Sequence, residues 1–140
     1  MVGVSQSHHV DSLSQLLTQE EDAVQRIDIL LGLARQNMLG AGSIEVGLTN
    51  AQDALMIARS ISSKKYEAMS MTFVGMLHYN LSTPYREILE SAKNIAVESR
   101  DPNAIAFCTY PWVEVALLDY NQGIVAVSYT HLTLPTIYSV

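Results

Sequence analysis

The residues able to do chemistry come first. Glu87 and Glu90 stand three apart, and Asp53 occupies a similar apolar pattern upstream. Paired carboxylates can divide acid and base roles, but glutamates at helical spacing usually form a solvated face. Cys108 is the single cysteine. A nucleophilic thiol needs a base beside it, and no local spacing supplies a histidine partner; a small buried residue is the simpler role. His78 falls near the end of an apolar pattern, where a surface or groove position outweighs catalysis. His8 and His9 are adjacent, so they do not share a helix face, and no second pair stands at ligand spacing. Gly40-Ala41-Gly42-Ser43 has the look of a phosphate-cradling loop, yet it lacks the trailing Gly-Lys-Ser/Thr and follows no strand. No glycine pattern of a nucleophile elbow organises the serines. The expectation is therefore no catalytic residue, no cofactor and no metal in this chain, which reads as a non-enzyme.

Bulk properties narrow the classes further. The 140 residues are 49% hydrophobic, with a formal net charge of −6 and 8 Lys+Arg. That length and apolar content suit one domain with a core. The acidic balance argues against nucleic acid, whose phosphates require Lys and Arg. No apolar run approaches the roughly 20 residues that span a bilayer. The start, MVGVSQSHHVDS, lacks a basic end followed by an apolar core, and a single cysteine fits a reducing compartment. A cytoplasmic location is the expectation.

Those residues must be positioned by helices. Residues 1–10 are polar and expected to be disordered. Asp11 can cap a short helix bearing Leu13, Leu16 and Leu17. Thr18 with Glu21 forms a capping box for a helix through Val24, Ile27, Leu30, Leu31 and Ala34 to about Met38. Gly40–Ser43 is a turn, and a second helix follows from about Ile44 to Ile61. Ser62 or Ser63 caps a third, whose face carries Tyr66, Met69, Phe73, Met76 and Leu77. Thr83 can cap a fourth helix, with Pro84 at its first position and Ile88, Ala92, Ile95 and Ala96 along its face. Asp101-Pro102 repeats the device. The fifth helix carries Ile105, Cys108, Trp112, Val115, Ala116 and Leu118; Pro111 should bend or divide it, and Gly123 suits a left-handed cap at its end.

A repeat runs through this pattern. Asn37, Asn80 and Asn121 stand near helix ends, and the fifth residue before each is Gly32, Gly75 or Ala116. Leu31, Val74 and Val115 precede those small residues, and Gln36, Tyr79 and Tyr120 precede the asparagines. In the intervening helices Ala54, Ile57 and Ala58 match Ala92, Ile95 and Ala96. The period is about 40 residues, a length found in helical arrays.

With these residues the chain resembles the tetratricopeptide repeat family, especially the longer kinesin-light-chain-like form also seen in bacterial regulators. Trp112 falls at that family's aromatic position and Gly123 at its turn glycine. Asp28 and Met71 depart from the aromatic, Leu39 and Ser82 from the glycine, and Pro111 is unusual within a first helix. The resemblance spans roughly Thr18 to Val125. It implies an all-α fold, a right-handed stack of antiparallel helix pairs forming an α-solenoid of about two and a half repeats, with first helices lining a concave groove. The groove would show Ile29, Leu33, Gln36 and Asn37, then Thr72, Met76, Tyr79 and Asn80, then Val113, Leu117, Tyr120 and Asn121. Of these, Gln36, Asn37, Thr72, Met76, Tyr79, Asn80, Tyr120 and Asn121 are the expected partner contacts. Asparagine amides donate to and accept from an extended peptide, and tyrosines add rigid area with a polar tip. The same asparagines can instead simply cap helix ends, which is the commoner use.

The expected organisation is a polar segment over residues 1–10, the repeat domain over 11–126, and a distinct tail over 127–140. The tail VSYTHLTLPTIYSV has no charge, and its first ten residues resemble the conceptual translation of a transposase-end adapter used in DNA library preparation. On that resemblance the native sequence ends near Val125 and once continued into an output domain, as in bacterial signalling or transcription regulators. The expected function is protein or peptide binding, the partner being another protein or that further domain, with self-association through the last helix. The alternatives are a helical spacer and a helical domain of an enzyme.

Overall fold

The computed structural model describes residues 12–14 and 22–131, with the side chains of 119 and 121–131 excepted. Every regular element among them is helical: α1 (Ala23–Gln36), a π turn (Asn37–Ala41), α2 (Ile44–Ser60), α3 (Lys64–Asn80), α4 (Arg86–Ser99) and α5 (Pro102–His131). None of these is long and apolar enough to cross a membrane.

Three helix starts follow the residue chemistry directly. Ser43 Oγ accepts from the Val46 amide at 3.4 Å, and Ser63 Oγ from the Tyr66 amide at 3.3 Å. Asp101 Oδ1 accepts from the Ala104 amide at 2.9 Å, with Pro102 next in the chain. Each satisfies a donor that the first turn leaves without an intrahelical acceptor. The expected capping box at Thr18–Glu21 lies outside the described residues. The described start of α1 is capped by Asp22, whose Oδ1 accepts from Val24 and Gln25 at 2.9 and 3.1 Å.

Thr83 acts at the opposite end from the one expected. Its amide and its Oγ1 both donate to the carbonyl of His78, at 2.9 and 3.0 Å, closing the C-terminus of α3. Ser82 takes a left-handed φ of 58° and its amide donates to Tyr79 O. This is a Schellman closure with serine where glycine is usual. Helix α4 then starts at Arg86 without a side-chain cap, so Pro84 lies before the helix and not at its first position. Ser62 (φ 56°) closes α2 the same way, Ser63 donating to Ala58 O and Ser62 to Arg59 O. After α1 the left-handed residue is Gly40, at φ 99°.

The fifth helix runs on past both expected break points. Pro111 is buried within α5 and does not divide it, and Gly123 lies inside the helix, which continues to His131. A glycine costs a helix only about 1 kcal/mol relative to alanine and does not force a stop. The expected tail boundary at 126 is not marked by a helix end; residues 132–140 lie outside the described set.

Helix α3 is the centre of the packing. It touches α1, α2, α4 and α5, and each helix also packs on the next in sequence. Residues 70–75 of α3 are therefore all buried. Amphipathic α4 instead buries only Leu89, Ala92 and Ala96. One core cluster joins Ile27, Leu30, Leu31 and Ala34 of α1 to Ala51, Ala54 and Ala58 of α2 and Phe73, Val74 and Leu77 of α3. A smaller cluster joins Ala68, Ala96, Ala104 and Cys108. Ala54, Ala58, Ala92 and Ala96, matched by the repeat, are all fully buried. Their small side chains let helices approach to the short end of the usual range.

The small residues aligned in the first helices are not equivalent. A Cβ on Gly75 would collide with Leu89, which binds α3 closely to α4. Among the described residues a Cβ on Gly32 would meet Leu13 at an ordinary 3.6 Å, and Ala116 is exposed. The close contact between α1 and α2 is made instead by Gly47 in α2, whose Cβ would stand 3.2 Å from Ala34 O and 3.0 Å from Asn37 Cβ.

Candidate binding cleft

The C-terminal end of α3 is the meeting point of four elements. Met38 and Leu39 come from the π turn after α1, Met76, Tyr79 and Asn80 from α3, and Leu89 from α4. Pro111, Glu114 and Val115 come from α5. Together they enclose a cleft of about 230 Å³. Its walls are mostly thioether, aliphatic and proline surface. Tyr79, Asn80 and Glu114 supply the polar groups, and none of the described lining residues is cationic.

Local structure sets these side chains. Tyr79 and Asn80 occupy the last turn of α3, held by the Ser82–Thr83 closure just described. Tyr79 is half-buried, and its ring meets Tyr85 edge-on with centroids 5.0 Å apart at 88°, the geometry aromatic quadrupoles favour. His78 Nδ1 lies 2.7 Å from Thr83 Oγ1 and binds the same turn. Beyond Tyr79 and Asn80 a shallower surface opens over Ser82–Ile88 and Leu118. Tyr79 thus forms the wall between a narrow apolar cleft and a broad open one.

Of the expected contacts, the fold brings Met76, Tyr79 and Asn80 to this cleft. Gln36 is half-buried at the end of α1 and does not line it. Asn37 and Thr72 are corrected to structural residues. Asn37 is 4% exposed, with Nδ2 donating to Leu33 O at 2.9 Å inside the π turn. Thr72 is fully buried, its Oγ1 donating to Ala68 O at 2.9 Å. Leu33 is also buried, so the first third of the expected groove offers little to a partner. Tyr120 is 64% exposed on α5, with Val113 and Leu117 beside it in the exposed set; the Asn121 side chain lies outside the described residues.

The lining residues not among the expected contacts are Met38, Leu39, Leu89, Pro111, Glu114 and Val115. Pro111 carried a signal: a proline inside a helix removes one backbone hydrogen bond and crowds the preceding turn, so that turn is locally irregular. Glu114 carried one as well, because Tyr110, Glu114 and Leu117 fall on one face at helical spacing.

The chemically reactive candidates are placed elsewhere. Cys108 packs among Ala68, Ala96 and Ala104. Burial pushes its thiol pKa up, and a hydrogen bond with the Thr72 hydroxyl only partly opposes this. Glu90 pairs with Lys93 at 3.4 Å on the surface of α4, while Glu87 lines the open surface. Asp53 is exposed. Among the described residues no group of three or more His, Cys, Asp or Glu could hold a metal ion.

Compared with protein-family models, with curated proteins and with solved structures, the chain matches none.

Proposed function

We propose that this chain is a protein- or peptide-binding helical repeat module, built as a stack of antiparallel helix pairs, whose ligand enters the cleft at the end of α3. The convergence of Met76, Tyr79 and Asn80 with Leu39, Pro111 and Glu114 carries this reading. Apolar walls with a few polar groups at the mouth are the usual make-up of a recognition site. The stack is supported by a contact that brings opposite helix ends together. Lys64 at the start of α3 pairs with Glu98 near the end of α4 at 3.5 Å. The matched alanines of α2 and α4 add to it. A regulatory role within a larger cytoplasmic chain comes only with the family resemblance, and fold alone does not set function.

Selection of short random peptides displayed on phage, against the whole chain, tests the cleft. Binders should be enriched, and Tyr79→Ala with Asn80→Ala should weaken them by about tenfold or more, roughly 1.4 kcal/mol. Helicity by circular dichroism should be unchanged. Binders unaffected by the double substitution would place recognition elsewhere.

A further inference from the structure

The cleft also has a charge and a size, and together they select a ligand. We infer that its occupant is a basic, amphipathic segment of another protein: one bulky apolar side chain fills the cleft, and a neighbouring Lys or Arg pairs with Glu114. This rests on the binding function proposed above and specifies its ligand.

The size comes first. At about 230 Å³ the cleft is smaller than the roughly 300–1,000 Å³ of sites for whole small molecules. A cavity of about 150 Å³ holds a benzene ring, so the space suits a single Leu, Met or Phe side chain. Methionines 38 and 76 make the wall adaptable, since thioether side chains repack around different apolar shapes. Asn80 is exposed at the mouth, where its amide can donate to and accept from a ligand backbone.

The charge comes from Glu114. It is exposed on α5, on the face shared by Tyr110 and Leu117, which are 63% and 58% exposed. The carboxylate therefore sits inside an apolar strip and lines a cleft that shows no cation among its described lining residues. A cation on the ligand would be held between apolar contacts on both sides, and the net charge of −6 draws positive segments in. The same figures disfavour a second copy of this chain as the occupant. Two copies repel, and 8 Lys+Arg are few to offer.

The test sequences the peptides selected on the wild-type chain and repeats the selection on Glu114→Lys and Glu114→Gln. These variants change an exposed side chain, and circular dichroism confirms their fold. The expected result is a bulky apolar residue with Lys or Arg within a few positions, bound at least fivefold more weakly by Glu114→Gln. Glu114→Lys should shift selection to acidic neighbours. Acidic or uncharged peptides on the wild type, or a basic preference kept by Glu114→Lys, would overturn the inference. If such peptides still depend on Tyr79 and Asn80, the binding function stands and only the ligand class fails. If no peptide is enriched, both fail. A dimer in sedimentation velocity that Met76→Ala dissociates would assign the cleft to a second copy and overturn the inference.

Discussion

Leu89 occupies the space that a side chain on Gly75 would need: an ideal Cβ there would stand 2.5 Å from Leu89 Cδ2 and 2.8 Å from its Cγ. Leu89 is 1% exposed, so it has little room to retreat. Gly75→Ala gains about 1 kcal/mol of helix propensity but overpacks the α3–α4 contact, which typically costs about 1–3 kcal/mol. Where overpacking exceeds the propensity gain, the variant loses stability. We expect a lower urea midpoint for Gly75→Ala than for wild type, with an unchanged slope.

The turn after α3 behaves oppositely. Ser82 holds φ 58°, a left-handed backbone that costs an L-residue about 1–2 kcal/mol. Ser82→Gly removes that strain and gives back part of it as unfolded-state entropy, about 0.5–1 kcal/mol. A net gain of about 0.5–1 kcal/mol is expected in chemical denaturation. A loss would mean that the Ser82 side chain has a role of its own.

Acid sensitivity should centre partly on the start of α5. The Ala104 amide donating to Asp101 holds that carboxyl below its ordinary value, and Lys65, 3.7 Å away, adds to this. A folded-state pKa lowered from about 3.9 stabilises the fold above that pH. The contribution fades as pH falls through the lower, folded value. Asp101→Asn keeps a capping acceptor but cannot titrate. Helicity followed from pH 7 downward should therefore fall more gradually near pH 4 and below in Asp101→Asn than in wild type.

Cys108 gives a probe of local opening. It is fully buried, and its raised thiol pKa leaves little thiolate at neutral pH. Labelling with a thiol reagent should be slow in the native chain and fast in denaturant. Rapid native labelling would show that α5 leaves the core readily.

Position in the packing should decide the cost of deletion. Leu77 is fully buried in the core shared by α1, α2 and α3, and Leu77→Ala should cost about 2–5 kcal/mol. Leu117 is 58% exposed, and Leu117→Ala should stay within about 0.5 kcal/mol. Equal effects in thermal or urea melts would contradict the central place of α3.

Much of this architecture can be read from local pattern. Ser43, Ser63 and Asp101 start helices because a short polar side chain can meet the free amides of its own next turn. Ala54 with Ala58, and Ala92 with Ala96, share a helix face because each pair stands four residues apart. These outcomes depend on neighbours within a few residues, and the amino-acid sequence determined them by itself.

Other outcomes had more than one local solution or turn on contacts between distant segments, and only the tertiary structure decided them. The Thr83 hydroxyl can serve the helix on either side, and the left-handed Ser82 turned it back to α3. Asn37 and Asn80 hold matching places in the repeat, yet one amide turns inward within a π turn while the other faces solvent. The cleft draws its walls from the π turn after α1, from α3, from α4 and from α5. No spacing along the chain encodes that meeting, because it depends on how closely separate elements pack, as Gly75 lets α3 pack on Leu89.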